Sequence, residues 1–218
     1  MNAVTAVEAI AVQTTISQAV VNSLRPGDAI GGGFYASLIR QIDGIYALVV
    51  APKDGGEHKG IAWNSSTARV DGAISYYDGY ANTLAMAEAG SELAKLALSL
   101  QLNGFHDWYL GARDEMEVIY RNLKPTAGNY ASFRDGENPS SVPVGYAYTE
   151  TSPGQTACTA FQEGGVEAFA DAWYHTSTQS ERDSDYAWLQ NFGNGTQINY
   201  RKNTEFCARF VRRLKVIQ

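Results

Sequence analysis

Phe34-Tyr35-Ala36-Ser37-Leu38-Ile39-Arg40-Gln41-Ile42, then Asp43-Gly44, then Ile45-Tyr46-Ala47-Leu48-Val49-Val50: this stretch decides the fold class. Two runs rich in β-branched and aromatic residues flank a dipeptide that readily takes positive φ, which predicts a tight antiparallel hairpin. Just upstream, Gly31-Gly32-Gly33 leads into a β-run and not into a helix. It therefore lacks the helix N-terminus that a phosphate site needs, and reads as a turn or close-packing cluster. Before it, Pro26-Gly27-Asp28 reads as a turn, and Ala3 to Val21 is weakly apolar without clean periodicity. Residues 1–27 are expected to form an attachment or oligomerisation arm, and residues 28–218 the main domain. The first 24 residues have no basic start and no uninterrupted apolar run, so neither a secretory signal nor a membrane span is expected.

Downstream of the hairpin, a turn-rich segment from Ala51 to Gly79 ends where Asn82 or Thr83 can cap a helix. That helix is expected over Leu84 to Leu100, because Leu93, Leu96, Ala97 and Leu100 recur at i, i+3, i+4 and i+7. A second helix is expected over Arg113 to Leu123, with Met116, Ile119, Tyr120 and Leu123 on one face. Its acidic residues Asp114, Glu115 and Glu117 crowd the N-terminal turn, where the helix dipole favours carboxylates. After Lys124-Pro125, loop residues dominate to Gly154. Short β-like segments then follow at Ala168 to Thr176, Tyr186 to Phe192, Thr196 to Arg201 and Ala208 to Leu214, with Asn194-Gly195 as a second tight turn. No repeat of 20 to 50 residues is present, which excludes solenoids and propellers. The expected class is α+β: two helices packed on an antiparallel sheet that carries long loops.

Of the 218 residues 44% are hydrophobic, enough for a sizeable core. The formal charge is −6, and the one basic group is Arg212, Arg213 and Lys215, so nucleic acid is not an expected partner. With 21 Gly and 13 Tyr but only 18% charged residues, the composition suits a loop-rich binding surface built from aromatic and small polar groups. Cys158 and Cys207 lack Cys-x-x-Cys spacing, so zinc and redox chemistry are not expected; they stand as small buried residues or as a disulfide. Neither reading is decided by the sequence.

Recognition of a glycan needs flat apolar faces for sugar C–H surfaces, and amides or charged groups to fix the hydroxyl pattern. The segment from Trp173 to Asn203 is rich in both. Its candidate ligand-binding residues are Tyr174, His175, Asn191, Asn199, Tyr200 and Arg201, whereas Trp188 and Phe192, on one strand face, read as core. Asp183, Ser184 and Asp185 supply part of a calcium loop with an incomplete ligand series, so calcium is the one metal considered and no cofactor is expected. His58, His106 and His175 are scattered, and no Gly-x-Ser-x-Gly or His-Glu-x-x-His motif occurs. An enzyme is not expected.

Several blocks follow one another in a familiar order: Tyr77 to Thr83, Gly104-Phe105-His106-Asp107-Trp108-Tyr109-Leu110, Arg113-Asp114-Glu115-Met116, and Tyr120 to Pro125. Ser177-Thr178-Gln179, Tyr186-Ala187-Trp188, Phe192 to Gly195 and Arg209 to Arg213 continue the series. Over roughly residues 28–214 the chain resembles the DUF1566 family, which includes the C-terminal domain of the Legionella collagen-like adhesin and many phage tail or fibre proteins. The resemblance implies a C-type-lectin-like fold, a receptor-binding or adhesion role toward a host surface glycan or protein, and assembly as a homotrimer. It also implies a virion or extracellular location, with contacts to other virion proteins through the arm and no membrane insertion. The alternatives are a structural virion protein without a receptor, and an enzyme on the same scaffold, since fold does not fix function. Two departures from the family pattern are visible. Leu110-Gly111-Ala112 replaces Leu-Pro-Ser and removes a hydroxyl cap worth about 1 kcal/mol, which predicts a looser helix start. Tyr174-His175-Thr176-Ser177-Thr178 replaces Tyr-Trp-Ser-Ser-Thr, with Trp173 one place earlier.

Overall fold

The computed structural model describes residues 13–128 and 136–218. The strands, in chain order, are β1 (Thr15–Ser17), β2 (Ala29–Ile30), β3 (Gly33–Gln41), β4 (Gly44–Val50), β5 (Glu57–Ala62) and β6 (Tyr109–Leu110). They continue with β7 (Ser141–Val142), β8 (Trp173–Gln179), β9 (Tyr186–Asn191), β10 (Gln197–Arg201) and β11 (Glu205–Ile217). The expected hairpin is β3–β4, with Phe34 paired to Val50 and Gln41 to Gly44. Its turn is Ile42-Asp43, one residue earlier than expected, and Gly44 opens β4 at φ 146°. Gly31 and Gly32 turn β2 into β3 at φ 55° and 80°, so the glycine cluster is the tight turn the sequence suggested.

The sheet runs in the order β10-β9-β8-β11-β4-β3-β2. The long β11 holds it together, because it also pairs β1, β5 and β6 along its length. Alternation along β4 shows how the core is divided. Ala47 and Val49 enter one apolar cluster with Trp63, Met86, Leu93, Trp108 and Phe210. Leu48 and Val50 enter the other with Met116, Ile119, Tyr120, Phe161, Tyr174 and Phe192. Successive strand residues point to opposite faces, so the central sheet is covered on both sides. Each fully buried Leu, Val or Phe there contributes about 1.5–3 kcal/mol.

The first expected helix is two helices, Gly79–Glu88 and Glu92–Ser99. The apolar spacing continues across the break, but Gly90 sits at φ 87° and ends the first helix, and the Ser91 side chain accepts from Ala94 N to start the second. The N-cap of the first is Asp78, whose carboxylate accepts from Ala81 N, and not Asn82 or Thr83, which are buried inside the helix. The helix Arg113–Leu123 has the expected bounds. Its start is not loose. Thr178 Oγ1 accepts from Arg113 N at 3.0 Å, and Glu115 Oε2 accepts from Ala112 N at 2.8 Å, which replaces the missing hydroxyl cap from two directions.

From Gln13 onward the expected arm is built into the body. β1 runs parallel to Lys215–Ile217 of β11, and Ile16 and Val21 join the first apolar cluster. The first 12 residues of that arm lie outside the described residues. Both cysteines are free thiols. The architecture is α+β, mostly sheet with few helices.

Candidate functional site

The last strands carry the site, and period-two geometry sorts the six expected ligand residues. β8 lies between β9 and β11, and Tyr174 to Gln179 are all buried. Tyr174 is therefore a core residue: its ring packs edge-on against Phe169 and Phe192, and its hydroxyl donates to Glu57 Oε2 and accepts from Ala170 N. His175 is also in the interior, with Nε2 2.9 Å from Ile61 O and Nδ1 without a partner among the described residues. Burial pushes its imidazole down to about 4, so the ring is neutral. Asn191 is used by the turn after β9, where its Oδ1 accepts from Gly193 N and Asn194 N. None of these three presents its side chain to a surface ligand.

Asn199, Tyr200 and Arg201 are exposed on β10, which lies at the sheet edge. They do not form one patch. Asn199 stands opposite Trp188 and Arg201 opposite Tyr186, whereas Tyr200 stands opposite Ala187 on the other face and packs edge-on against Phe206. Arg201 lies over the Tyr186 ring, 5.9 Å from its centroid. One face of β9–β10 thus carries two aromatic rings, an amide and a guanidinium side by side.

This face continues into a cleft of about 360 Å³ lined by Tyr76, Arg113, Ser180, Glu181, Arg182, Trp188 and Asn199. Trp188 is half-buried and forms the wall, not the core. The strand ends at Asn191, and the following turn sends Phe192 into the apolar interior, stacked on Phe169 at 3.8 Å, so Trp188 and Phe192 part company. Tyr76 meets the indole edge-on at 6.2 Å. The Arg113 guanidinium lies 4.5 Å from the Trp188 ring and 4.8 Å from the Tyr76 ring. Among the described residues its side chain makes no hydrogen bond or ion pair, though its charge attracts the neighbouring Asp114 carboxylate, and its Nε and the indole Nε1 are covered without partners. Tyr76 and Arg113 come from segments far from β9 in sequence. The signal that joins them is Thr178, whose hydroxyl accepts from Arg113 N and donates to Ser75 O, fixing both next to β8.

The other basic residues of the C-terminal group are committed internally. Arg212 is fully buried and bidentate to Asp107 at 2.7 and 2.8 Å; Arg213 pairs with Asp78 at 2.9 Å, and Lys215 with Asp43 at 2.7 Å. Arg209, also buried, meets Glu167 and lies 3.9 Å from Glu57. The acidic residues of the Arg113–Leu123 helix are buried too, and hydrogen bonds hold them in place. Glu115 accepts from Tyr109 Oη at 2.8 Å and from Gly79 N at 3.1 Å, and burial raises its carboxyl to about 7. Glu117 meets Tyr148 and Asn138, and Asp114 accepts from Ser140 Oγ at 2.6 Å. Asp183 accepts from Asp185 N in a tight turn, and among the described residues no three acidic, His or Cys side chains gather as a metal site. No helix among those residues is long and apolar enough to cross a membrane.

Many of the family-like blocks are thus fold-bearing: Gly79, Asp107, Trp108, Glu115 and Arg212 tie helix starts and strand ends together. No curated protein matches the chain. The family model for the Lcl C-terminal domain matches residues 56–212, more than half of the chain and most of the 28–214 stretch that carries the resemblance. The chain belongs to the Lcl C-terminal domain family.

Proposed function

We propose that this protein is a non-enzymatic recognition module that attaches to a glycan on a cell surface through the Tyr76–Arg113–Trp188–Asn199 cleft and the adjoining face of β9–β10. The observation that carries the reading is the chemistry of that cleft. Aromatic rings, an exposed amide and a guanidinium without an ion pair among the described residues converge at one surface depression. A sugar needs this set: ring faces for its C–H surface and directional polar groups for its hydroxyls. Membership of a family named for an adhesin domain supports the same role.

In this reading the domain is C-type-lectin-like and works outside the cell, on a phage tail or fibre or on a cell surface. A single cleft of this size gives a weak monovalent contact. Assembly as a homotrimer, with the N-terminal residues attached to a larger particle, would multiply it through effective concentration. No catalytic step belongs to this reading.

The test is binding of the purified protein to intact bacterial cells and to an oligosaccharide array, with Trp188→Ala and Asn199→Ala as site variants and Tyr200→Ala as the control from the opposite face. The proposal requires loss of binding in the first two and retention in the third. Equal binding by all four proteins would move the site elsewhere. Absence of binding by the parent protein would favour the structural particle component.

A further inference from the structure

We infer that the sugar held in this cleft carries a carboxylate, which docks on the terminal nitrogens of Arg113; the ligand class is a uronic- or sialic-acid oligosaccharide. The inference deepens the recognition reading and rests on it. Among the described residues the half-buried and buried cations are otherwise provided for. Arg209, Arg212, Arg213 and Arg121 face carboxylates, and Lys202 donates to Ala68 O and Gln179 Oε1. The remaining unpaired arginines, Arg25, Arg40, Arg182 and Arg201, are exposed to water. Among the described residues Arg113 is the one half-buried arginine flanked by two aromatic rings and without an acceptor.

A guanidinium in that position has lost part of its hydration and gained the attraction of two ring faces and of the neighbouring Asp114 charge, but no hydrogen-bond acceptor. Its Nε is covered, whereas its terminal nitrogens are not among the covered atoms without partners, and Arg113 lines the cleft. A carboxylate approaching in the guanidinium plane would accept from that edge, and the planar fork matches the planar anion. Asn199 then stands ready for a ring hydroxyl, and the Trp188 and Tyr76 rings for the C–H face. The same cleft is unfavourable to a polyanion. Glu181 shares its rim with Arg182, and the chain as a whole carries −6. One localised acid group fits this field better than a densely sulfated chain.

The experiment is calorimetric titration of the full chain with trigalacturonate, its carboxyl-reduced form, sialyllactose, lactose and a sulfated galactose trisaccharide. The expected result is binding of trigalacturonate, of sialyllactose or of both, roughly tenfold or more tighter than the matched carboxyl-free sugar. Which of the two acids is preferred identifies the source of the carboxylate. Arg113→Gln should bring the acidic sugar down to the level of its neutral counterpart, with Arg113→Lys in between. The comparison of native and reduced ligand needs no variant, so it stands even if Arg113→Gln folds poorly. Equal affinity for the carboxyl-free sugars, or for the sulfated trisaccharide, would overturn the carboxylate assignment and leave the recognition reading intact if Trp188→Ala still abolished binding. No binding to any of the five sugars would overturn the carboxylate assignment, and the recognition reading then stands or falls on binding to intact cells.

Discussion

The guanidinium of Arg113 rests against the indole of Trp188, 4.5 Å from ring centroid to guanidinium carbon, and this contact joins the start of a helix to an outer strand of the sheet. It places a charge and a ring on one wall. Trp188→Ala should therefore abolish binding at the cleft while costing little stability, since the ring is only half-buried. Tyr200→Ala should do neither. Binding assays paired with urea denaturation separate the two effects. A Trp188 variant that unfolds, or a Tyr200 variant that loses binding, would contradict the division of the two faces.

Thr178 stands in for the cap that Ala112 cannot provide. Thr178→Val removes the acceptor for Arg113 N and the donor to Ser75 O, and should cost about 1–2 kcal/mol. It should also loosen the Tyr76 side of the cleft, so ligand affinity falls along with thermal stability. Unchanged values of both would show that the helix start is held by Glu115 alone.

Arg212 is fully buried and depends on one carboxylate. Asp107→Ala should destabilise the fold by about 3 kcal/mol, because it strands a charge between Phe105 and Trp108. Chemical denaturation of the variant checks this. A loss below about 1 kcal/mol would mean that the carbonyl groups of Gly31 and Gln13 suffice to hold the guanidinium.

His175 makes stability depend on acid. Its folded value, about 4, lies below the ordinary 6.5 because burial disfavours the cation, and the added proton on Nδ1 would find no acceptor. The contribution is therefore fully present above about pH 6.5 and is lost as pH falls through about 4. It amounts to about 3 kcal/mol at most. Denaturation midpoints of the parent and of His175→Gln at pH 7.5 and pH 4.5 should show a smaller acid loss in the variant. Parallel loss in both would assign acid sensitivity to other groups.

Much of this architecture was legible where local chemistry and tertiary packing agree. The β3–β4 hairpin and the Arg113–Leu123 helix carry strong patterns of period 2 and 3.6; the helix has the expected bounds and the hairpin turn lies one residue from its expected place. The break at Gly90 was legible in principle, from Gly90-Ser91-Glu92, but the apolar spacing runs straight through it. The site was legible only in part. Alternation separates core from surface when a strand has one wet face; β8 has none, so Tyr174 and His175 looked like surface aromatics and are interior. Parity groups Trp188 with Phe192, and the turn after Asn191 breaks that parity. Tyr76 and Arg113 reach the cleft through contacts between distant segments, which no local pattern encodes.

The most direct test of the cleft uses the indole N–H signals of the four tryptophans, with that of Trp188 assigned by Trp188→Phe. On titration with a bound oligosaccharide the Trp188 signal should shift progressively, while those of Trp63 and Trp108, both fully buried in the core, stay in place. Saturable binding with no change at Trp188 would contradict the account and place the recognition surface elsewhere.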